Sequence, residues 1–162
     1  MDRETRQQLV AAYKDGYRVV AEALAGAKPD ELDTAPAAGK WTVRQIVHHL
    51  ADSEMTSAIR LRLLIASANP PIVGYDQEEF ARTLYYTDRP IDASLDAFNA
   101  ARRSTAEILD RLTEAEWLRE GTHTEHGRYT VHRWLEIYAS HAHAHAQQIL
   151  VARDAAKQAR GK

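Results

Sequence analysis

The chain has 162 residues, with 21 Lys and Arg, 23 Asp and Glu, eight His and no Cys, and a formal net charge of −2. This length predicts one domain over residues 1–162 with a buried core, and the balanced charge argues against a protein that binds nucleic acid through its phosphates. The absence of Cys excludes disulfides and thiolate-ligated metals. No apolar stretch has the length of a signal peptide or a membrane-spanning helix, so we expect a cytoplasmic protein that does not contact membranes.

Apolar residues recur three or four positions apart in four long segments, which is the spacing of amphipathic helices. The predicted helices cover residues 4 to about 25, 43–67, 94–112 and 130 to about 156. Thr42 and Gln45 form a capping-box pattern at the start of the second helix. Because no strand pattern is persuasive, we predict an all-α protein, a four-helix bundle with one or two elaborated connections.

The connections between these helices contain residues that break helical structure. Residues 26–40 are rich in Gly, Pro and small side chains, and an Asn-Pro-Pro run at 69–71 ends the second helix. The segment 72–90 is long for a bundle, which is typical either of a lid over a functional site or of a packed surface loop. We expect a short helical turn at 114–117 and a loop or small hairpin at 121–129.

The last predicted helix contains His141, His143 and His145, which alternate with Ala. Ala favours a helix over a strand, and on a helix His141 and His145 share one face whereas His143 points outwards to solvent. Other side chains predicted on the shared, buried face are Trp134, Tyr138, Gln148 and Ala152. Two buried imidazoles at this spacing are either core histidines bonded to neighbours or ligands of a shared cation, and the spacing alone leaves both interpretations open.

A third metal ligand would have to come from another helix. The His48-His49 doublet lies at the edges of the apolar stripe of the second helix, and periodicity does not choose between its members. The remaining histidines are expected in a loop or on an outer helix face, with structural or solvated roles; they are His123, His126 and His132.

Two familiar metal motifs are excluded by the spacing of the residues. A zincin requires His-Glu-x-x-His, but position 142 is Ala. A di-iron bundle requires Glu-x-x-His pairs on two helices, whereas that spacing occurs only from Glu120 to His123, in a Gly-containing loop.

Three segments together resemble the DinB-like superfamily, and most closely its YfiT-type metal-dependent hydrolases. They are WTVRQIVHHLADSE at 41–54, PIVGYD at 71–76, and a closing His141-x-x-x-His145-x-x-Gln148-Ile149. The resemblance implies a DinB-like four-helix bundle that holds one divalent metal ion, zinc or nickel, through three histidines, and that forms a homodimer. Matched to the family motifs, the ligands are His49, His141 and His145, and His48 is only a neighbour. The chain has Ala144 where the family often has His, at a position that is not a ligand.

Three neutral donors leave an open position on the ion, which is typical of a catalytic metal. The resemblance therefore implies an enzyme with a small-molecule substrate, a hydrolase that activates a metal-bound water. One alternative is a low-molecular-weight thiol S-transferase of the bacillithiol type with the same metal. Another is a non-catalytic stress-response or binding module with a structural metal.

Five residues near these motifs are candidates for supporting roles in catalysis. Asp52 and Glu54 lie within about a turn of His49 and could orient a ligand, and Tyr138 precedes His141 by one turn on the same stripe. Tyr75 and Asp76 could close over the pocket from the long connection. The alternative for each of the five is capping, a salt bridge or core packing.

Overall fold

The computed structural model describes residues 1–160. In chain order its elements are α1 (Arg3–Leu24), α2 (Pro29–Asp33), α3 (Val43–Ala66), β1 (Pro71–Ile72), α4 (Gln77–Thr83), α5 (Asp92–Leu109), α6 (Glu114–Trp117), β2 (Glu120–His123), β3 (Gly127–Thr130) and α7 (Val131–Arg160). The four long helices α1, α3, α5 and α7 form the predicted four-helix bundle. Across residues 1–160, no helix combines the length and apolar character that a bilayer-spanning segment needs.

The long helices do not pack in the order in which they follow one another. Both α1 and α3 pack mainly against α5 and α7, so the first two long helices lie diagonally across the bundle. The apolar core falls into two clusters, one around Trp134 and one around Phe98. Because α7 contributes side chains to both clusters, it is the central helix of the fold.

The start of α3 follows from the capping box that the sequence predicts. The Thr42 backbone N–H donates to Gln45 Oε1 at 2.9 Å, and the Gln45 N–H donates to Thr42 Oγ1 at 3.3 Å. These bonds satisfy two of the backbone N–H groups that a helix leaves free at its start. They also fix the residue at which α3 begins, and with it the face on which each later side chain lies.

Two of the connections form a small three-stranded sheet, of which the sequence predicted the hairpin as one alternative and did not predict β1. It has the order β1-β2-β3, with β1 parallel to β2 (Ile72 opposite His123) and β2 antiparallel to β3. The β2–β3 pair is the hairpin predicted as one of two alternatives at 121–129. The segment 72–90 also contains α4, whose N-cap is Asp76. The sheet therefore holds the first part of the long connection against the hairpin.

Gly16 lies in the middle of α1, where the sequence alone makes it unfavourable for a helix. A Cβ atom at this position would lie 2.6 Å from Nη2 of Arg102 and 2.8 Å from Cβ of Ala142. Real Cβ atoms do not approach other atoms so closely, so glycine is needed here for α1 to pack against both neighbouring helices.

Candidate metal centre

Three histidines from two helices bring one ring nitrogen each to a common point. Nε2 of His141 lies 3.2 Å from Nε2 of His49 on α3 and 3.1 Å from Nε2 of His145, one turn further along α7. All three nitrogens lie within 4.8 Å of one another. In a tetrahedral zinc site with Zn–N bonds of about 2.0–2.1 Å, the nitrogens are about 3.3–3.4 Å apart. The His49, His141 and His145 group, called the histidine triad below, therefore fits a divalent ion.

The environment of the triad keeps its rings in the neutral form that binds metals. Burial, together with the nearby His145, lowers the pKa of His49 to about 3, and burial with neighbouring positive charges lowers the pKa of His141 to about 2. Burial also lowers the pKa of His145. At neutral pH all three rings are therefore uncharged, and each has one nitrogen lone pair available.

The hydrogen bonds of the triad also favour a cation between the three rings. His145 Nδ1–H donates to Gln148 Oε1 at 2.9 Å, which leaves the lone pair of its Nε2 free. If His141 carried its proton on Nε2, that N–H could be directed at Nε2 of His49 or at Nε2 of His145, but not at both. His141 Nδ1 is buried and has no hydrogen-bond partner among residues 1–160. A shared cation satisfies all three Nε2 lone pairs at once.

Two cavities adjoin the triad and make it accessible from two sides. The smaller one, of about 420 Å³, is lined by the triad together with polar side chains that include Ser53, Arg60, Tyr75 and Tyr138. The larger one, of about 720 Å³, is lined by apolar side chains such as Trp41 and Ile46, and His145 borders both. A small molecule at the triad would thus meet a polar and an apolar environment.

His48 lies outside the triad and has its own partners. It is fully buried, and its Nε2–H donates to the Arg89 carbonyl at 3.1 Å while Nδ1 lies 2.7 Å from Ser94 Oγ. The structure thus brings His49 together with His141 and His145, as the family motif implies. That these three bind a metal stays a prediction.

Among the other histidines, the prediction for His143 is wrong. His143, predicted to be solvated, is half-buried and its Nε2–H donates to the Ala12 carbonyl at 3.0 Å, because α1 packs against this side of α7. His123 is buried in the hairpin, where its Nδ1 accepts the Glu125 backbone N–H at 3.1 Å. His132 is half-buried and stacks on Trp117, whereas His126 is exposed. These contacts suit the structural or solvated roles expected of the last three, although possible ligand atoms of His123, Glu125 and His126 also lie within 4.8 Å of one another.

The three acidic candidates for supporting roles are engaged elsewhere. Asp52 accepts a hydrogen bond from the Tyr86 hydroxyl at 2.6 Å, and Asp76 caps α4 through the backbone N–H groups of Glu78 and Glu79. Glu54 is fully buried and pairs with Arg102. None of the three acids lines either cavity beside the triad. Their positions correct the prediction that they orient a ligand or close over the pocket.

Both tyrosines among the candidates do line the smaller cavity. The Tyr138 hydroxyl accepts a hydrogen bond from Nη1 of Arg60 at 3.3 Å, and the Tyr138 ring lies 5.8 Å from that of His141. Tyr75 packs on Phe80 with 4.5 Å between ring centroids. Burial raises the pKa of both phenols. They therefore keep their protons at neutral pH and can donate hydrogen bonds into the cavity.

Sequence reasoning assigned no role at the site to three side chains that line the cavities at the triad, although each carried a helical signal. Ser53 and Arg60 follow His49 at i+4 and i+11, which places them within about 40° of it around α3. Gln148 was expected on the buried stripe but is exposed, and it contacts the triad through Nδ1 of His145. Counting helical positions from each metal ligand would have identified all three.

Comparison with known proteins confirms the family resemblance. The family model of the DinB superfamily matches residues 12–149. A protein of Oceanobacillus iheyensis is 39% identical over 74% of this chain and 69% of its own length, and one of Bacillus mycoides is 33% identical over 83% and 78%; both bear the name "putative metal-dependent hydrolase".

The fold is also shared with a solved structure. YfiT from Bacillus subtilis, described as a probable metal-dependent hydrolase with an unusual four-helix bundle topology, superposes with a TM-score of 0.86 at 27% identity. The match covers 92% of this chain and 86% of that one. With a family match that spans most of its length, the chain belongs to the DinB superfamily.

Proposed function

We propose that this protein is a metal-dependent hydrolase whose divalent ion is held by Nε2 of His49, His141 and His145. The observation that carries the proposal is the convergence of three neutral imidazole nitrogens, from the buried His49 and the half-buried His141 and His145, at spacings that suit a tetrahedral ion. The names of the relatives support the same activity.

The donor set determines what such an ion could do. No carboxylate joins the three nitrogens within the part of the chain that the structure describes, so the ligands leave the positive charge of the ion uncompensated. An ion of this kind with an open position lowers the pKa of a water molecule toward neutrality and polarises a carbonyl or phosphoryl oxygen. Gln148 holds the ring of His145 in the required orientation, and Trp41 packs on His49 with ring centroids 4.8 Å apart.

The cavities set the size and character of the substrate. A volume of about 420 Å³ suits a small molecule. Tyr75 and Tyr138 can donate hydrogen bonds to its polar groups on one side of the triad, while Trp41 and Ile46 contact apolar groups on the other. An ester or amide with one polar and one apolar end fits this arrangement.

Metal analysis of purified protein tests the ligand set. We expect stoichiometric metal, zinc or nickel, in the wild type and its loss in His49→Ala and His145→Ala. His143→Ala is the matched control, because His143 lies between two ligands on the same helix but bonds to Ala12. Equal metal content in all four proteins would overturn the proposed site.

Activity assays test the reaction. We expect the metal-loaded wild type to hydrolyse members of a panel of esters and amides, a chelator to abolish the activity and added zinc or nickel to restore it. Incubation with bacillithiol and a chromogenic electrophile tests thiol transfer instead. Turnover only in that second assay, or hydrolysis that persists in His49→Ala, would contradict the hydrolase proposal.

A further inference from the structure

Four arginines of residues 1–160 are more than nine-tenths buried, and one of them differs from the rest. Three have a carboxylate partner at short distance: Arg6 with Glu114 at 2.5 Å, Arg102 with Glu54 at 2.6 Å, and Arg153 with Glu31 at 2.7 Å. Arg60 is only 9% exposed, yet no carboxylate within the described chain lies within 4.0 Å of its guanidinium.

The contacts of Arg60 do not compensate its charge. Nη1 donates to the Tyr138 hydroxyl at 3.3 Å and Nη2 to the Val73 carbonyl at 2.5 Å, and both acceptors are neutral. Nε is fully buried and has no acceptor among residues 1–160. The guanidinium lies 5.6 Å from the centroid of the Tyr75 ring, which adds a weak attraction. Because arginine does not lose its proton in proteins, this cation remains buried without a counter-ion.

The one carboxylate in the same cavity does not fill this role. Glu125 lines the smaller cavity, but its side chain is 58% exposed, and its carboxylate lies 3.9 Å from Nε2 of His126 and forms no ion pair with an Arg or Lys among residues 1–160. Its carboxylate packs close to Gly74 instead, since a Cβ atom added there would lie 2.6 Å from Oε1 of Glu125. The cavity therefore contains a buried cation and a solvated anion that do not pair.

We propose that Arg60 binds an anionic oxygen group, a carboxylate or a phosphate, of the substrate. This inference rests on the proposed function and adds to it that the hydrolase acts on small anionic substrates. The planar fork of guanidinium N–H groups matches either anion, and the protonated hydroxyls of Tyr75 and Tyr138 line the cavity beside it.

The position of Arg60 on α3 relates the anion to the metal site. Arg60 and His49 lie on one face of the helix, and a rise of about 1.5 Å per residue separates their Cα atoms by about 16 Å. Both side chains nevertheless line the same cavity. The anionic group and the bond to be hydrolysed therefore belong to different parts of the substrate.

Binding to the metal-free protein tests the anion site independently of catalysis. In EDTA at pH 8 and constant ionic strength, we expect glutarate or inorganic phosphate to raise the thermal unfolding temperature of the wild type, and neutral glutaramide to leave it unchanged. The shift should be lost in Arg60→Met and Arg60→Gln, and partly kept in Arg60→Lys. Comparison of glutarate with phosphate identifies which anion the site prefers.

Arg62→Met is the matched control, because Arg62 lies on the same helix but bonds to Ser104, Thr105 and the Ala58 carbonyl. It should keep the anion-induced shift. Circular dichroism establishes that each variant folds, and Arg60→Gln and Arg60→Lys retain hydrogen-bond donors if the methionine variant does not fold. Equal shifts in the wild type and in a folded Arg60→Met or Arg60→Gln would overturn the proposal.

A second assay measures the effect on selectivity. For the metal-loaded wild type, we expect kcat/KM to be roughly 10- to 100-fold higher for mono-4-nitrophenyl glutarate than for 4-nitrophenyl pentanoate, the range of one charge-assisted hydrogen-bonded contact. In Arg60→Met the ratio should approach one through loss of activity on the anionic ester alone.

The two assays separate failure of this inference from failure of the proposed function. If no ester is hydrolysed but the anion-induced shift depends on Arg60, the hydrolase proposal fails and the anion site stands. If esters are hydrolysed with the same preference by the wild type and Arg60→Met, the hydrolase stands and the anion site fails.

Discussion

Helix α3 contributes one residue to each of two polar clusters: Glu54 to a cluster with Arg102, and His49 to the histidine triad. The two clusters differ in how completely their polar atoms are hydrogen-bonded. Around Glu54, Nη1 of Arg102 donates to one carboxylate oxygen at 2.6 Å, and the Tyr13 hydroxyl donates to the other, while the Ser57 hydroxyl donates to the Glu54 backbone carbonyl at 2.9 Å. Nε and Nη2 of Arg102 donate to the carbonyls of Tyr13 and Tyr138. In the histidine triad, by contrast, three lone pairs converge and Nδ1 of His141 has no partner within residues 1–160.

Complete hydrogen bonding within the chain marks a polar cluster that stabilises the fold, whereas unpaired lone pairs mark a cluster that can bind a ligand. Burial of polar atoms is costly unless they are hydrogen-bonded. The cluster of Tyr13, Glu54, Ser57 and Arg102 meets this requirement with the chain's own atoms, whereas the three Nε2 atoms of the triad meet it only when a cation is added. Glu54 follows His49 by five positions, about 140° around the helix, so the two groups occupy different faces of α3.

The largest effect we expect comes from breaking the paired cluster. Glu54→Ala leaves Arg102 buried without a counter-ion and should lower the free energy of unfolding by about 3–5 kcal/mol. Urea denaturation measures this loss. Glu22→Ala is the control, because Glu22 and its partner Arg18 are both exposed, and it should cost no more than about 1 kcal/mol. If Glu54→Ala removed bound metal and left stability unchanged, the distinction between the two groups would fail.

The next effect concerns the triad and depends on the metal. At a free metal concentration 100 times the dissociation constant, binding should stabilise the wild type by about 2.7 kcal/mol. Thermal unfolding with zinc or with EDTA measures it. His49→Ala should show no response to metal, whereas His143→Ala should respond like the wild type. A full response in His49→Ala would place the metal elsewhere.

A smaller effect should follow from removing the orienting contact. Gln148→Ala deletes the acceptor for Nδ1 of His145 and should weaken metal affinity about 10- to 100-fold, the usual effect of losing a contact that orients a ligand. Competition with a chromogenic chelator measures the affinity. Gln147→Ala removes the exposed neighbouring amide and should leave affinity unchanged. Equal affinity in the two variants would show that Gln148 does not position the ring.

The last prediction concerns how stability changes at low pH through the ion pairs of Glu31 with Arg153 and Arg160. Hydrogen bonds from Arg153, then from Arg160, lower the pKa of Glu31 from 4.5 to about 2. A carboxyl with a lowered folded-state pKa stabilises the protein above pH 4.5, and that contribution disappears as the pH falls toward 2. The stability advantage of the wild type over Glu31→Gln in urea should therefore shrink across that range. A constant difference would contradict the pairing.

The helices were predictable from the sequence, and the hairpin was one of two alternatives, but β1 and its pairing with the hairpin were not predicted. Amphipathic spacing and the capping box of Thr42 and Gln45 are local signals, and they located the four long helices. In contrast, β1 has only two residues, too few to show the alternation of apolar and polar residues that predicts a strand, and it pairs with a strand distant in sequence. The correct partner for His141 and His145 needed the family resemblance, because helical phase left His48 and His49 equivalent.

The role proposed for Arg60 could not have been read from the chain at all. Arg60 and Arg102 are both buried arginines on long helices, and only the folded structure shows that Arg102 has a carboxylate partner and Arg60 does not. Whether a buried arginine has a carboxylate partner depends on which residues the tertiary structure brings next to it. The same reason explains why Asp52 and Glu54 were candidates for catalysis until their own partners were known.

The close approach at Gly16 limits how this protein can be engineered for stability. Replacement of a mid-helix glycine by alanine usually stabilises a helix by about 1 kcal/mol. Here the added methyl group would meet Arg102, which is held by Glu54 and two carbonyls, and Ala142 on the adjacent helix. A stabilisation strategy based on helix propensity should therefore exclude Gly16 and use exposed helix positions instead.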